Sequence, residues 1–487
     1  MKKRSAKKNY VYNLIYQITL LIVPIIVTPY ISRVLLADGV GQYSFSYSII
    51  TYFTIFASLG FGYYAQREIA KYQDDKHEQS KIFWEINISR LISVVISIVV
   101  NLILILSGVY GKNTQLMSLM MINIVSIAFD ISFLFQGNEN FGEIVVRNVL
   151  IKIIGTVLIF VFVKEKSDLW IYCLLISLCF IISNLSLWPS IIGVIEKVKV
   201  SELHPLRHMP GTLKLFIPTI ATSIYAVLDK SLIGVITNSD AENGYYEQAE
   251  KISKVAITLV TCIGNVMMPR NSYEMSVGHD ENVKKNIYTI CHFVWLLGIP
   301  LMFGIIAVAE NLVPWFLGKN FEKSIVLLQL FSILIPIIGI SNTLGIQYLL
   351  PKKEDSKFTI CLIIGTVVNS LLNIFLIFKM KSVGAVIASI IAEISITISM
   401  LVCVKKELSI KEMFKTIFKP LIAGIFMFLV LLFIASKLES SLVNTFILII
   451  TGCSIYSLPV VILKDNLALY VLNYFVKKFL WFKNKNN

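Results

Sequence analysis

The chain has 487 residues, 56% of them hydrophobic and only 15% charged, and a mean hydropathy of +0.75. A soluble globule of this size carries about 25% charged residues, so that class is excluded. The formal net charge is +14, but it is dispersed among loops with no basic stripe interleaved with aromatics, which sets nucleic-acid binding aside in favour of the positive-inside bias of a polytopic membrane protein.

In chain order, Met1 to Val27 has the outline of a signal peptide: a basic start, then an apolar stretch. The stretch continues to Leu36, contains Pro24 and Pro29, and offers no Ala-x-Ala site. It is read as an uncleaved first span. A run of about 20 apolar residues crosses a bilayer, and the sequence gives about fourteen such runs. They are Val11–Leu36, Val40–Tyr64, Ile82–Ser107, Gln115–Gln136, Glu143–Val163, Leu169–Gly193, Thr212–Ile236, Glu250–Met275, Ile287–Ala309, Ser324–Leu350, Phe358–Phe378, Val383–Val404, Thr416–Ser436 and Val443–Leu463. The expected fold is an all-α polytopic membrane protein. It has a lobe of six helices at 1–202, a second at 203–406, and two further helices with a basic tail at 407–487. The tail Asn466–Phe482 is expected to form an amphipathic interfacial helix.

Alternate loops differ in charge. Lysine and arginine cluster before span one and after spans two, six, eight, ten and twelve, for example Arg67/Lys71, Lys197/Lys199, Lys284/Lys285, Lys352/Lys353 and Lys405/Lys406. Both termini are therefore expected in the cytoplasm. A faint repeat links Gly41-Gln42-Tyr43 after span one to Gly244-Tyr245-Tyr246 after span seven, each read as an extracellular turn. The offset of about 200 residues fits a duplicated six-span unit, hence parallel repeats.

Ionisable groups at bilayer depth cost at least about 2.5–3.5 kcal/mol and should pair or face a cavity. Arg33, Arg90, Arg147, Lys230, Lys251 and Arg270 are the candidates for binding an anionic substrate group. Asp229, Asp130 and Glu393 are the candidates for coupling to a cation or proton. Bland alternatives stand beside these. Arg90–Asp130 fits a closed ion pair, and Arg147, Lys152 and Arg270 fit snorkelling side chains. Glu247/Lys251 and Glu250/Lys254 have the spacing of helix-stabilising pairs. Arg33 and Asp229 are favoured as functional, each a charge disfavoured by burial on the first helix of a half. Asn369 and Asn373 share a face and read as interhelical hydrogen-bond glue, beside the small face Gly384, Ala388, Ala392.

Enzyme chemistry is thinly represented. The seven cysteines lie in apolar runs and read as small buried hydrophobes. His204 and His208 are four apart, but Pro205 argues against a shared helix face. No P-loop, G-x-G-x-x-G or G-x-S-x-G occurs. The expectation is a non-enzyme with no cofactor, driven by an ion gradient or the membrane potential, Na+ and H+ both being open.

Thr28-Pro29-Tyr30-Ile31-Ser32-Arg33-Val34-Leu35 followed by Gly39-Val40-Gly41-Gln42-Tyr43 resembles the opening of bacterial polysaccharide flippases of the O-antigen and capsule type. Phe135-Gln136-Gly137-Asn138-Glu139, Asp229-Lys230-Ser231-Leu232-Ile233-Gly234, Ala249-Glu250-Lys251-Ile252, Met268-Pro269-Arg270 and Gly384-Ala385 with Ala392-Glu393 are similar to later family motifs. The family belongs to the multidrug/oligosaccharidyl-lipid/polysaccharide exporter superfamily. The resemblance implies two lobes around a central cavity, alternating access, and an undecaprenyl-diphosphate-linked oligosaccharide as substrate in the bacterial cytoplasmic membrane. It also implies polymerase and glycosyltransferase partners of one surface-polysaccharide pathway, besides membrane lipids. A lipid II or multidrug exporter of the same superfamily is the alternative within the class. A membrane glycosyltransferase or polymerase is the alternative outside it, disfavoured by outer loops too short to carry a catalytic site.

Overall fold

The computed structural model describes residues 6–469. Among them no strand occurs. The helices are α1 (Ala6–Ser58), α2 (Phe61–Lys71), α3 (Lys76–Leu106), α4 (Thr114–Ala128), α5 (Ser132–Gly137), α6 (Phe141–Phe162), α7 (Leu169–Leu185), α8 (Met209–Thr237) and α9 (Asp240–Ser276). They continue as α10 (Asp280–Phe316), α11 (Lys323–Leu344), α12 (Asp355–Met380), α13 (Ser382–Val404), α14 (Ile410–Lys415), α15 (Phe418–Ala435) and α16 (Leu442–Ile462). Of the tail expected to be amphipathic, Asn466–Phe482, only the first four residues are described, and they are helical; the rest lies outside the described residues.

Twelve segments of the described residues are long and apolar enough to cross a membrane. The first, Tyr16–Lys71, has 56 residues and carries a break at Leu36 (φ 58, ψ −179), so it holds two spans. With α8, whose 29 residues suffice to span, the helical lengths match the expected fourteen. The fold is that of a multi-pass membrane protein.

α3 shows why. Its outward face carries Leu91, Ile92, Val95, Ile96 and Val99, all about half exposed, while Glu85, Asn87, Arg90, Ser97 and Asn101 are buried. Apolar side chains outside and polar ones inside invert the soluble pattern, as lipid demands. α12 repeats the arrangement. Asn369 and Asn373 are buried, Asn373 Nδ2 donates to Asn369 Oδ1 at 3.0 Å, and Asn369 Nδ2 donates to Ser389 Oγ of α13 at 3.3 Å. Gly384 stacks on the Leu376 carbonyl, so the small face of α13 lets the two backbones meet.

Two expectations about the elements change. Span four is discontinuous, with α4 and α5 separated at Phe129–Ile131. The segment after span two is helical, because Gly60 (φ 74) turns the chain into α2. Cys262 and Cys453 are exposed, so only part of the cysteine set is buried.

The chain divides into two compact units, Met1–Glu247 and Gln248–Asn487. α8 and the first turns of α9 pack within the first unit. That unit has an aromatic core of Phe61, Phe83, Phe133 and Phe135 beneath α2, α3 and α5. The second is built on α10, α11 and α13, with Val260, Ile287, Val294 and Ile335 at its centre.

Candidate functional site: a buried polar crossing in the first unit

Three helical segments meet in the first unit: α1 beyond its break, the end of α8 and the start of α9. The approach is set by two glycines. A Cβ on Gly41 would strike the main chain of Asp240 and Gly244, and a Cβ on Gly244 would strike the Ala37 carbonyl. Both glycines lie inside helices. The repeated Gly-x-Tyr signature is thus a helix crossing, not a pair of turns.

Polar groups converge on the crossing. Lys230 Nζ meets Glu247 Oε2 at 2.5 Å, with side chains 11% and 8% exposed. Ser44 Oγ donates to the same carboxylate oxygen at 2.9 Å. Tyr246 OH donates to Asp229 Oδ2 at 2.5 Å, and Asn243 Nδ2 donates to the Lys230 carbonyl at 2.8 Å. Tyr52 OH and Ser231 Oγ lie 2.9 Å apart, and Ser231 Oγ donates to Ser48 Oγ at 3.1 Å. At one rim Asp240 accepts from Gln42 Nε2 at 3.0 Å and pairs with Lys112 at 2.5 Å. Buried ion pairs add little net stability, yet removing one partner strands a charge. The pair and its Ser44 contact therefore fasten α1, α8 and α9 at one point.

Arg90 is buried, but its guanidinium does not pair with the Asp130 carboxylate. Nη1 donates to the Asp130 main-chain carbonyl, and Nη2 donates to Asn87 Oδ1 at 2.5 Å and to the Ala128 carbonyl at 3.4 Å. The Asp130 carboxylate instead accepts from Ser132 N at 2.9 Å and starts α5. Trp188 Nε1 donates to the Phe129 carbonyl at 3.0 Å and Asn184 Nδ2 to the Ser126 carbonyl at 2.9 Å. These donors satisfy the carbonyls that the α4–α5 break releases, a requirement at membrane depth. The expected closed ion pair is therefore replaced by a guanidinium–carbonyl clamp.

A second knot ties the segment before α8 to α3. Glu85, fully buried, takes Arg207 Nη2 at 2.7 Å, His208 Nε2 at 2.8 Å and the His204 amide at 2.7 Å. Tyr64 OH and His208 Nδ1 lie 3.0 Å apart. The short helical turn Pro205–His208 delivers these donors to one carboxylate, so the histidine spacing that argues against a helix face still produces a cluster. Burial, outweighing the Glu85 hydrogen bond, holds the His208 imidazole below its ordinary value.

The remaining sequence-derived positions are scattered. Arg33 is exposed, contrary to the expectation of a buried charge. Arg147 is half-buried, 3.7 Å from Glu143 and bonded to Ser190 Oγ. Lys251 and Glu393 are half-buried and Arg270 is exposed, all three in the second unit. Lys254 and Glu250 form the expected i,i+4 pair at 2.8 Å. Glu247, Ser44, Tyr246 and Glu85 are absent from the sequence-derived candidates. For Glu247 the signal was present: it lies three residues beyond Gly244, on the face that this glycine brings to α1. Among the described residues no three His, Cys, Asp or Glu side chains are placed to hold a metal.

Comparison with known proteins agrees with this architecture. A family model described as "Polysaccharide biosynthesis protein" matches residues 6–275. A protein named "Putative O-antigen transporter" in Escherichia coli strain K12 is 25% identical over 411 residues, 83% of this chain and 98% of the relative. One of the same name in Shigella dysenteriae is 24% identical over 394 residues, 78% and 96% of the two chains. Among solved structures, the lipid II flippase MurJ in an inward closed conformation superposes with a TM-score of 0.62 at 19% identity, over 91% of this chain and 99% of MurJ. An inward-facing multidrug resistance MATE transporter of the MOP superfamily gives 0.56 at 13% identity, over 84% and 98%. With the fold of the MurJ and MATE proteins and a family match over more than half its length, the chain belongs to the polysaccharide biosynthesis protein family of membrane proteins.

Proposed function

We propose that the chain is a flippase that moves undecaprenyl-diphosphate-linked oligosaccharide repeat units across the bacterial cytoplasmic membrane by alternating access, for surface polysaccharide synthesis. The observation that carries this reading is the crossing of α1, α8 and α9, in which the buried Lys230 ammonium meets the Glu247 carboxylate. When the two halves part, Ser44 of α1 leaves the Glu247 carboxylate, and an anionic substrate group displaces Glu247 from Lys230. Glu247 thus stands in for substrate in the closed arrangement, and the exchange couples binding to opening. The names of the two curated relatives favour an O-antigen substrate, and the family match favours polysaccharide synthesis.

In this mechanism the halves 1–202 and 203–406 act as lobes, and Arg33, Arg147, Lys251 and Arg270 are further candidates for contact with anionic substrate groups. Asp229, held by Tyr246, and Glu393 are the positions for a coupling cation or proton. Arg33→Lys is expected to impair transport and Arg33→Ala to impair it more, because a planar guanidinium matches a diphosphate where an ammonium does not. Asp229→Asn keeps an acceptor for Tyr246 and should lose ion dependence while still reaching the membrane.

The test is depletion of the protein in its own cell. Lipid-linked repeat units should accumulate on the cytoplasmic leaflet, with glycosyltransferase activity intact and surface polymer reduced. Failure to make the lipid-linked unit at all would identify a synthase instead. Orientation is tested with single cysteines at Ser167 and Ser436, expected to react with an impermeant thiol reagent in intact cells, and at Asp74 and Ser201, expected not to. These four positions are exposed.

A further inference from the structure

The second unit holds a cavity of about 570 Å³ where α9 ends, α10 begins and the turns after α11 and α13 converge. Its wall carries four lysines, Lys284, Lys352, Lys353 and Lys406, against two acids, Asp280 and Glu407. By the charge bias of the sequence, all four lysines are expected on one membrane side.

The lysines are not equivalent. Lys352 is bonded to Glu407 and lies 3.2 Å from Glu354, so its charge is spent. Lys284 meets Glu281, whose side chain is 77% exposed, at 2.9 Å. Lys353 and Lys406 have no carboxylate within ion-pair distance among the described residues. Lys353 also occupies the left-handed region (φ 63), where glycine would be unstrained. Such strain persists where the position has a use. The turn is pinned by Lys353 N donating to the Leu350 carbonyl at 2.9 Å and Glu354 N donating to the Leu349 carbonyl at 3.0 Å. It follows a single π-helical turn, Gly345–Leu349, a feature frequent at functional sites. From that turn Tyr348 OH donates to Glu407, fixing the carboxylate that occupies Lys352.

Hydroxyl recognition is closed off. Ser272 Oγ donates to the Met268 carbonyl at 3.0 Å and Ser276 Oγ to the Tyr273 carbonyl at 2.7 Å. Recognition falls to ammonium groups, which hold phosphate as point charges. The volume is in the range of ligand pockets and exceeds what a bare phosphate needs. We infer that this cavity is a binding site for a phosphate-bearing anion of head-group size, held by Lys353, Lys406 and Lys284, with Glu407 as an internal competitor for Lys352.

The inference is independent of the transport reading except for the side of the membrane, so its failure and the failure of the flippase assignment are separate results. Full-length protein in neutral detergent is titrated with inorganic pyrophosphate at constant ionic strength by calorimetry. In parallel, acetylation of Lys353 and Lys406 is mapped in nanodiscs of phosphatidylcholine with and without phosphatidylglycerol. Lys353→Ala/Lys406→Ala should weaken pyrophosphate binding about tenfold or more, and Glu407→Gln should strengthen it by removing an acid from the wall that competes for Lys352. Protection by phosphatidylglycerol alone identifies a lipid head group as the source. Pyrophosphate binding alone identifies a soluble phosphate. Absence of both effects in the unaltered protein, or equal pyrophosphate affinity in the double variant, overturns the site. The labelling arm uses the unaltered chain and so stands whether or not the variants fold.

Discussion

Lys230 of α8 and Glu247 of α9, seventeen positions apart in sequence, form a 2.5 Å ion pair inside a helix crossing whose spacing is set by Gly41 and Gly244. The pair is buried on both sides, and Ser44 from α1 donates to the same carboxylate. Three segments are thereby fastened at one point.

Glu247→Gln and Lys230→Met should each lower stability by up to about 3–5 kcal/mol, because each removes one partner of a buried ion pair. Lys230→Met/Glu247→Leu should recover most of the loss, since it removes both charges together. Reversible unfolding in mixed micelles measures all three. Equal losses for the single and double variants would show that packing, not charge, governs the crossing.

Gly41→Ala and Gly244→Ala insert a methyl where another main chain already lies. Both should pry α1 from α9. Cysteines at Gln42 and Asp240, in a background without the seven native cysteines, report the gap through a short thiol cross-linker. Cross-linking should fall sharply in either glycine variant. Gly62→Ala, which meets nothing within 4 Å, is the control. In the glycine-intact protein the cross-link should also stop transport until it is reduced. Full transport with the link in place would mean that the crossing does not open.

Arg90→Ala should cost about 2–5 kcal/mol, because the carbonyls freed at the α4–α5 break lose their donors in an apolar setting. Asp130→Asn should be mild. The carbonyl that Arg90 uses belongs to the main chain, and an asparagine oxygen still accepts from Ser132 N. If Asp130→Asn proved as damaging as Arg90→Ala, the charge interaction would be the larger effect and the clamp the smaller one. Unfolding midpoints in detergent decide between them.

His208 gives a pH dependence with a definite sign. Burial lowers its folded-state value below the usual 6.5. A lowered folded value means the stability is fully present above 6.5 and is lost as pH falls from there through the folded value. The melting temperature should therefore drop between pH 7.5 and 5.5. Part of that drop should vanish in His208→Gln, which keeps a donor for Glu85. A midpoint that rises on acidification would show that Glu85 favours the imidazolium and that burial is the lesser effect.

The sequence by itself determined the membrane class and the span count. Both follow from run length and composition, which lipid reads locally along the chain. The small face of α13 and the paired asparagines of α12 were legible for the same reason, since helical periodicity alone puts Gly384, Ala388 and Ala392 on one stripe. What the sequence could not rank was the use of its buried charges. Asp130 looks like a partner for Arg90 by depth, yet the guanidinium takes its carbonyl, because a helix break at Phe129–Ile131 releases main-chain acceptors that no side-chain pattern announces. Glu247 looks like a local partner for Lys251 by spacing, and that spacing does not announce its contact with Lys230, which arises because two glycines let α1 and α9 approach to backbone contact and turn that face of α9 inward. Local spacing fixes which residues share a helix face. Only the packing of helices decides which face is buried, and in a low-dielectric interior burial compels each charge to find whatever partner lies within reach.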